Sequence, residues 1–355
     1  MSPARISSNK LPSPGRVSMS LETLVPVYRR EIEKELQQVV SQVEGPLFEP
    51  LHHMLAYHLG WEGEGANPEA GGKRIRPLLV LLTCAAAGGE WQDALPVAAA
   101  VELVHNFSLI HDDIQDNSPL RRGRPTLWSR WGIPQAINAG DTMFILAHLA
   151  MNRLEETAEA PVNFQASQIL NQTCLHLTQG QFLDLSYEER GDLNLEAYWP
   201  MVEGKTAALL AACTQLGALV AGAAQDIREA YRQFGRSLGL AFQALDDLLG
   251  IWGDAALTGK SAESDLITGK KSLPVLYGLT RGGRFAQRWM EAAITTAEVP
   301  DLAAQLEKEG ARDYTRKTAN RLTEQALKAL ETAQPQGEAG EALVELAGQL
   351  LHRQL

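Results

Sequence analysis

The apolar positions of this chain repeat with helical spacing along most of its length. Between Glu22 and Gln42, residues Leu24, Val25, Val27, Tyr28, Ile32, Leu36, Val39 and Val40 fall near a 3.6-residue period, which predicts an amphipathic helix that covers a core or a dimer face. Pro46 and Pro50 close it. Val101–Asp116, VELVHNFSLIHDDIQD, is apolar without alternation until three aspartates arrive together. That pattern predicts a buried helix ending in carboxylates. Phe234–Asp247, FGRSLGLAFQALDD, repeats the arrangement. Further helices are expected over Gln135–Arg153 and Val162–Tyr187, and from about Leu195, where Glu203-Gly204-Lys205-Thr206 predicts a kink. From Leu273 onward, stripes over Tyr314–Ala333 and Leu343–Leu351 predict helices that close a bundle. Residues 1–20 are rich in Ser and Pro, lack acids, and predict a disordered tail. Pro12 and Pro14 oppose an amphipathic targeting helix there. No Pro/Gly/Ser linker follows, so residues 21–355 are expected to form a single all-α domain.

Composition sharpens this picture. Ala, Leu, Glu and Gln are frequent, and strand-like alternation is missing. The net charge of -11 argues against a nucleic-acid partner, so any anionic ligand must meet local Lys and Arg clusters. Cys84, Cys174 and Cys213 have no metal or redox spacing and read as core residues of a reducing, cytoplasmic protein. No apolar run approaches the roughly 20 residues of a membrane span, so no transmembrane segment is expected. His52, His53 and His58 read as packing or surface residues.

Chemistry enters with the charged clusters. Asp112 and Asp116 are i and i+4, on one helix face, with Asp113 beside them. A helix C-terminus carries partial negative charge, so acids gathered there are unfavourable unless a cation joins them. A few hard oxygen ligands suit Mg²⁺, which commonly shares its shell with phosphates. Asp246 and Asp247 form a second cluster, which weakens the alternative of a solvated acidic cap. In Gly71-Gly72-Lys73-Arg74-Ile75-Arg76-Pro77, Lys73 and Arg76 are i and i+3, and the glycines let backbone approach a ligand. A helix N-terminus already favours anions, so added cations there point to a diphosphate site. His105 lies nearly two turns before Asp112 on the same side. Arg121, Arg122 and Arg124 follow in a Pro/Gly loop, and guanidinium forks suit phosphate oxygens. Gln181 and Asp184 are polar within an apolar helix, where burial without partners costs a few kcal/mol.

The motifs GGKRIRP, DDIQD, RRGRPT and FQALDD, in order between about Gly71 and Pro274, resemble those of the trans-isoprenyl diphosphate synthases, or polyprenyl synthetases. The resemblance implies an isoprenoid-synthase-type helical bundle around a central apolar cavity. It implies a homodimer and a chain-elongating prenyltransferase that joins isopentenyl diphosphate to an allylic diphosphate. It assigns Mg²⁺, three ions per site, to Asp112, Asp116 and Asp246, with Asp113 and Asp247 in support. Isopentenyl diphosphate would meet Lys73, Arg76, His105 and Arg122. The allylic diphosphate would meet Arg121, Gln181, Lys205, Thr206, Gln243, Lys260 and Lys270, the last two in a lid over Leu257–Lys271. One position departs: Gly250 stands where the second motif usually ends in aspartate, and Asp254, one turn on, is the candidate substitute. By spacing alone Phe107 is open between a cavity floor and a core ring. By resemblance, that aromatic, the small Ser108 after it and an aspartate motif without insertion match C20-forming enzymes, with farnesyl formation the runner-up. Two rivals are a terpene cyclase and a non-catalytic regulatory subunit. Lys73, Arg76, Arg122 and FQALDD argue against the cyclase, and the near-complete motif set against the regulatory subunit.

Overall fold

The computed structural model describes residues 19–67, 69–188, 190–253 and 265–351. They fold into helices α1 Met19–Val40, α2 Glu49–His58, α3 Ile75–Ala86, α4 Leu95–Gln115, α5 Leu127–Trp131, α6 Ile133–Asn152, α7 Ala160–Glu188, α8 Leu195–Val202, α9 Ala208–Val220 and α10 Gln225–Trp252. α11 Leu273–Arg281, α12 Arg284–Glu291, α13 Val299–Lys308, α14 Ala311–Ala333 and α15 Gly337–Leu351 complete the bundle. The all-α expectation holds. α1 begins inside the stretch read as tail and ends two residues before the expected limit.

α4 is the central helix. Pro96 sits in its first turn, where a missing N–H costs nothing. Its Val97–Val104 stretch is buried throughout, Glu102 included. By length and composition the helical stretch 91–115 would suit a membrane, yet 67% of its apolar window is buried inside the protein. α4 packs on α6 and α3, α3 packs on α9, and α10 lies between α9 and α14. One apolar core runs from Leu21 on α1 to Leu351 on α15. α1 contributes Tyr28, Ile32, Leu36 and Val39 to it, so the amphipathic stripe covers the core. A smaller cluster around Leu266, Val275, Phe285 and Leu306 lies under α11 to α13.

The arginine loop after α4 is a hairpin, with β1 Leu120–Arg121 antiparallel to β2 Arg124–Pro125. Arg122 and Gly123 between them both have positive φ, 52° and 74°, as a two-residue type I′ turn requires. The hairpin folds Arg121 back over the end of α4.

Candidate active site

The first carboxylates come from the C-terminal end of α4. Asp113 is buried and accepts a hydrogen bond from Arg121 Nε at 2.8 Å. Asp112 faces the mouth and accepts from Lys205 Nζ at 3.1 Å, Gln181 Nε2 at 3.1 Å and Arg121 Nη2 at 3.4 Å. Asp116 ends the helix, its N–H bonded to the Asp112 carbonyl at 2.8 Å. Burial pushes the Asp113 carboxyl up to about 6; Arg121 offsets part of this, and Asp112 and Asp116 add to it. Lost hydration and the neighbouring Asp112 charge likewise push Asp116 up to about 6. Lost hydration first, and crowded negative charge second, favour the protonated forms. A divalent cation would relieve the same crowding.

α10 brings the second pair. Asp247 is buried and fully committed, accepting from Tyr198 Oη at 2.8 Å, the Leu273 N–H at 2.8 Å and Gln243 Nε2 at 2.9 Å. It ties α8, α10 and α11 together, and Asp246 beside it is half-buried. Gln243 also accepts from Thr206 Oγ1 at 3.0 Å. Loss of hydration works against the charge on Lys270. The carboxylates of Asp247, Asp265, Asp246 and Asp184 override it and hold the Lys270 pKa above its ordinary value. Asp184 on α7 also binds Lys205 Nζ at 2.5 Å, so the two aspartate clusters converge across α7. Lys205 stays charged for the same reason: desolvation opposes its charge, and Asp112 and Asp184 outweigh it.

The expected kink is a π-helical turn over Glu203–Ala207, a form that recurs at functional sites. An ideal Cβ on Gly204 would come within 2.8 Å of Gly180 Cα. Only glycines let α7 and this turn cross so closely, which brings Lys205 to Asp184.

The basic segment departs from its expectation. Lys73 and Arg76 do not share a helix face, because Arg74 is in the left-handed conformation (φ 51°) and α3 starts only after it. Lys73 is exposed, whereas Arg76 points inward and its Nη1 lies 3.2 Å from His105 Nε2. Burial lowers the Arg76 pKa, though a guanidinium remains charged. Burial and then Arg76 hold His105 well below the ordinary histidine range, so it is neutral. The glycines also do something other than expected. A Cβ on Gly72 would come within 2.6 Å of Arg122 Nη2, so Gly72 makes room for an arginine. Arg122 is anchored by the Ala70 carbonyl at 3.0 Å.

A cavity of about 400 Å³ joins these groups. Arg76, His105, Asp112, Gln181, Lys205 and Thr206 stand on its wall, with Phe107, Ser108, Leu177 and Leu185. The Phe107 ring meets Phe144 of α6 at 4.9 Å between centroids, and Phe144 meets His148 at 4.7 Å. Ser108 Oγ donates to the His105 carbonyl at 2.7 Å, so its polar atom is satisfied within α4.

The chain matches the polyprenyl synthetase family over residues 65–309. The chain belongs to the polyprenyl synthetase family. It is 42% identical over 280 residues to a (2E,6E)-farnesyl diphosphate synthase of Mycobacterium bovis, covering 77% of this chain and 76% of the relative. It is 41% identical over 292 residues to a geranylgeranyl diphosphate synthase of Mycobacterium tuberculosis, covering 80% and 83%. A polyprenyl synthetase from Streptomyces coelicolor A3(2) superposes with a TM-score of 0.83 at 35% identity, covering 93% of this chain and 99% of that one. The reaction class is therefore trans-prenyl diphosphate synthesis.

Several features of this synthase had no role in the sequence reading. Arg124 holds the hairpin to α2: it donates to the carbonyls of Tyr57 at 2.8 Å, Glu62 at 2.7 Å and Glu64 at 3.1 Å, and lies 4.0 Å over the Tyr57 ring. Arg74, inside the basic motif, is structural and pairs with buried Glu102 at 2.8 Å and with Glu33 at 2.7 Å. An acid amid VELVHNF was the signal for that pair. His58 is kept neutral, at about 3, by burial and then by Arg121, Arg122, Arg74 and Arg124. Asp141 lies 3.6 Å from His111 and is largely exposed. Lys260, with Thr258, Gly259 and the proposed substitute Asp254, lies outside the described residues.

The two basic positions should separate kinetically. Arg76→Ala is expected to raise the KM for isopentenyl diphosphate. Lys205→Ala is expected to lower kcat about 10²-fold, as loss of a cation facing charge that develops on a leaving group would. Steady-state kinetics with each substrate varied checks this; equal effects of both changes on both substrates would contradict it.

Proposed function

We propose that this synthase makes geranylgeranyl diphosphate, acting as a Mg²⁺-dependent homodimer. Product length is carried by one observation: Phe107 stands in the cavity wall with the small Ser108 beside it. A growing chain directed along that wall meets a ring braced by Phe144. The 42% identical relative favours farnesyl diphosphate as the second reading.

Asp112, Asp116 and Asp246 are the residues that would hold Mg²⁺, and hard, partly hydrated carboxylates fit that ion. When bound, Mg²⁺ supplies Lewis-acid neutralisation of the allylic leaving group. Lys205 and Arg121 add positive charge where the departing diphosphate gathers negative charge. Gln243, oriented by Thr206 and Asp247, keeps its second amide N–H for it. Arg76, His105, Lys73 and Arg122 form the isopentenyl diphosphate side. As the allylic C–O bond breaks, the alkene of isopentenyl diphosphate forms the new C–C bond, and the proton lost passes to the released diphosphate. Leu177 and Leu185 keep water from the cation, which it would quench.

The homodimer is supported by apolar stripes left exposed on two neighbouring helices: Ile133, Ile137, Ile145 and Leu149 on α6, and Phe164, Leu175 and Phe182 on α7. Stripes of this kind mark interaction surfaces.

Incubation with isopentenyl diphosphate, an allylic diphosphate and Mg²⁺, then chromatography of the dephosphorylated alcohols, tests the reading. Geranylgeraniol should dominate. Phe107→Ala should lengthen most of the product and Ser108→Phe should shorten it. An unchanged distribution in both variants removes these residues from the cavity floor.

A further inference from the structure

The β1–β2 hairpin carries Arg121 and Arg122 side by side, and their side chains go to different partners. Arg121 holds Asp112 and Asp113 at the end of α4. Arg122 lies against Gly72 of the basic segment and donates to the Ala70 carbonyl. What pins the hairpin from behind is Arg124, on β2. It is 8% exposed, and three backbone carbonyls share its guanidinium. Nη1 donates to Tyr57 at the end of α2, Nη2 to Glu62 and Nε to Glu64. A helix C-terminus favours a cation, and a guanidinium presents its donors in a rigid fork that a lysine lacks. Tyr57 closes the clasp: the Arg124 guanidinium lies over its ring, and its Oη donates to the Pro125 carbonyl at 2.9 Å. Gly63 approaches the same ring so closely that an ideal Cβ would lie 2.6 Å from Tyr57 Cδ2. The loop that supplies these carbonyls runs on through tight turns. The Ala66 N–H donates to the Gly63 carbonyl at 3.1 Å, and Asn67 Oδ1 accepts from the N–H groups of Glu69 and Ala70, both at 2.8 Å. The loop that Arg124 grips therefore leads to the carbonyl that anchors Arg122, and then to Gly72.

We propose that Arg124 is a positioning residue for isopentenyl diphosphate: by clasping the hairpin to the loop before the basic segment, it sets where Arg122 stands against that segment. The proposal rests on the reading of Arg122 as part of the isopentenyl diphosphate side. Arg124 itself is committed to α2 and the loop, so it acts through Arg122 rather than on the substrate. The two neighbouring arginines depend on the clasp unequally. Arg121 has its own hold on α4 through Asp113 at 2.8 Å. Arg122 is tied to the loop, through Ala70. Loss of the clasp should therefore disturb the isopentenyl side and leave the allylic side closer to its place.

The test is a kinetic cycle on the full chain, with each substrate varied in turn, at temperatures below the melt of every variant. Arg124→Gln should raise the KM for isopentenyl diphosphate about 10-fold, because a binding group moved by even about 1 Å loses much of its effect. The KM for the allylic diphosphate should move much less. Gly63→Ala, which pushes the loop off Tyr57 and leaves every arginine in the chain, should act in the same direction. Arg122→Ala should raise the same KM by itself. Arg124→Gln should then add little in the Arg122→Ala background, since the guanidinium it places is gone; two independent effects would multiply. A lowered melt with both KM values unchanged in Arg124→Gln would make Arg124 scaffold alone and overturn the proposal. So would an equal rise in both KM values, or an undiminished effect of Arg124→Gln in the double variant. If Arg122→Ala leaves the KM for isopentenyl diphosphate unchanged, the reading of Arg122 fails and this proposal with it. If Arg122→Ala raises it and Arg124→Gln does not, only the role of Arg124 fails.

Discussion

Asp112→Ala and Asp246→Ala should each lower kcat about 10³-fold while leaving the helical fold intact. Metal neutralisation of a leaving group is worth several kcal/mol in the transition state, and each 1.36 kcal/mol is tenfold in rate. Both residues are only half-buried, so removing either carboxylate creates no deep cavity. The partners of Asp112 are not stranded: Lys205 keeps Asp184 and Arg121 keeps Asp113. A negative charge is also removed from a helix C-terminus, where it opposes the dipole. Thermal melting of the metal-free Asp112 variant should therefore equal or exceed that of the unmodified chain. Asp247→Ala must behave differently. It would leave the Leu273 N–H and the Tyr198 hydroxyl without their acceptor, and unmet buried groups cost about 1–3 kcal/mol each. Lost turnover with an unchanged melt at Asp112 and Asp246, against a lowered melt at Asp247, separates chemistry from scaffold. Near-normal rates in both Asp112 and Asp246 variants with Mg²⁺ would remove these residues from the metal site.

That contrast shows what the sequence could and could not convey. Helical period and clustered charge are local properties, so DDIQD at the end of α4 and FQALDD within α10 could be placed, and the site they share inferred. The roles of neighbouring identical residues could not. Asp246 and Asp247 differ only in which side of α10 they face, and Tyr198 and Leu273, which fix Asp247, lie far away in sequence. The basic motif shows the same limit. An i, i+3 argument assumes a helix has already begun, but the left-handed Arg74 delays α3 and separates Lys73 from Arg76. Gly72 could be read only as freedom for the backbone, and Gly250 only as a missing aspartate. Each in fact admits a distant side chain, Arg122 in one case and Asp265 in the other. Long-range steric exchange of this kind leaves no trace in local patterning.

Glu102→Ala should be the most destabilising change in this group, at about 3–5 kcal/mol, the usual cost of removing one member of a buried ion pair. The Arg74 and Glu102 side chains are 2% and 4% exposed. Arg74 Nη1 donates to Glu102 Oε1 at 2.8 Å, and Asn106 Nδ2 donates to the same oxygen at 3.0 Å. Without Glu102, the guanidinium keeps Glu33 and the Leu59 carbonyl, but it loses its buried counter-charge and Asn106 loses an acceptor. Glu33 is a third exposed, so Glu33→Gln should cost far less, within the range of about 0–1 kcal/mol for hydrated pairs. The functional consequence follows from position. Arg74 sets the start of α3, and Arg76 meets His105 from the first turn of that helix. Glu102→Ala should therefore also raise the KM for isopentenyl diphosphate at temperatures where the protein remains folded. Replacing both partners removes the stranded charge, so Arg74→Met/Glu102→Leu should melt above Glu102→Ala. Thermal melts of the three variants decide the matter. A Glu102→Ala melt indistinguishable from the unmodified chain would show that Glu33 alone holds Arg74, and that the buried pair does not set the register of α3 against α4.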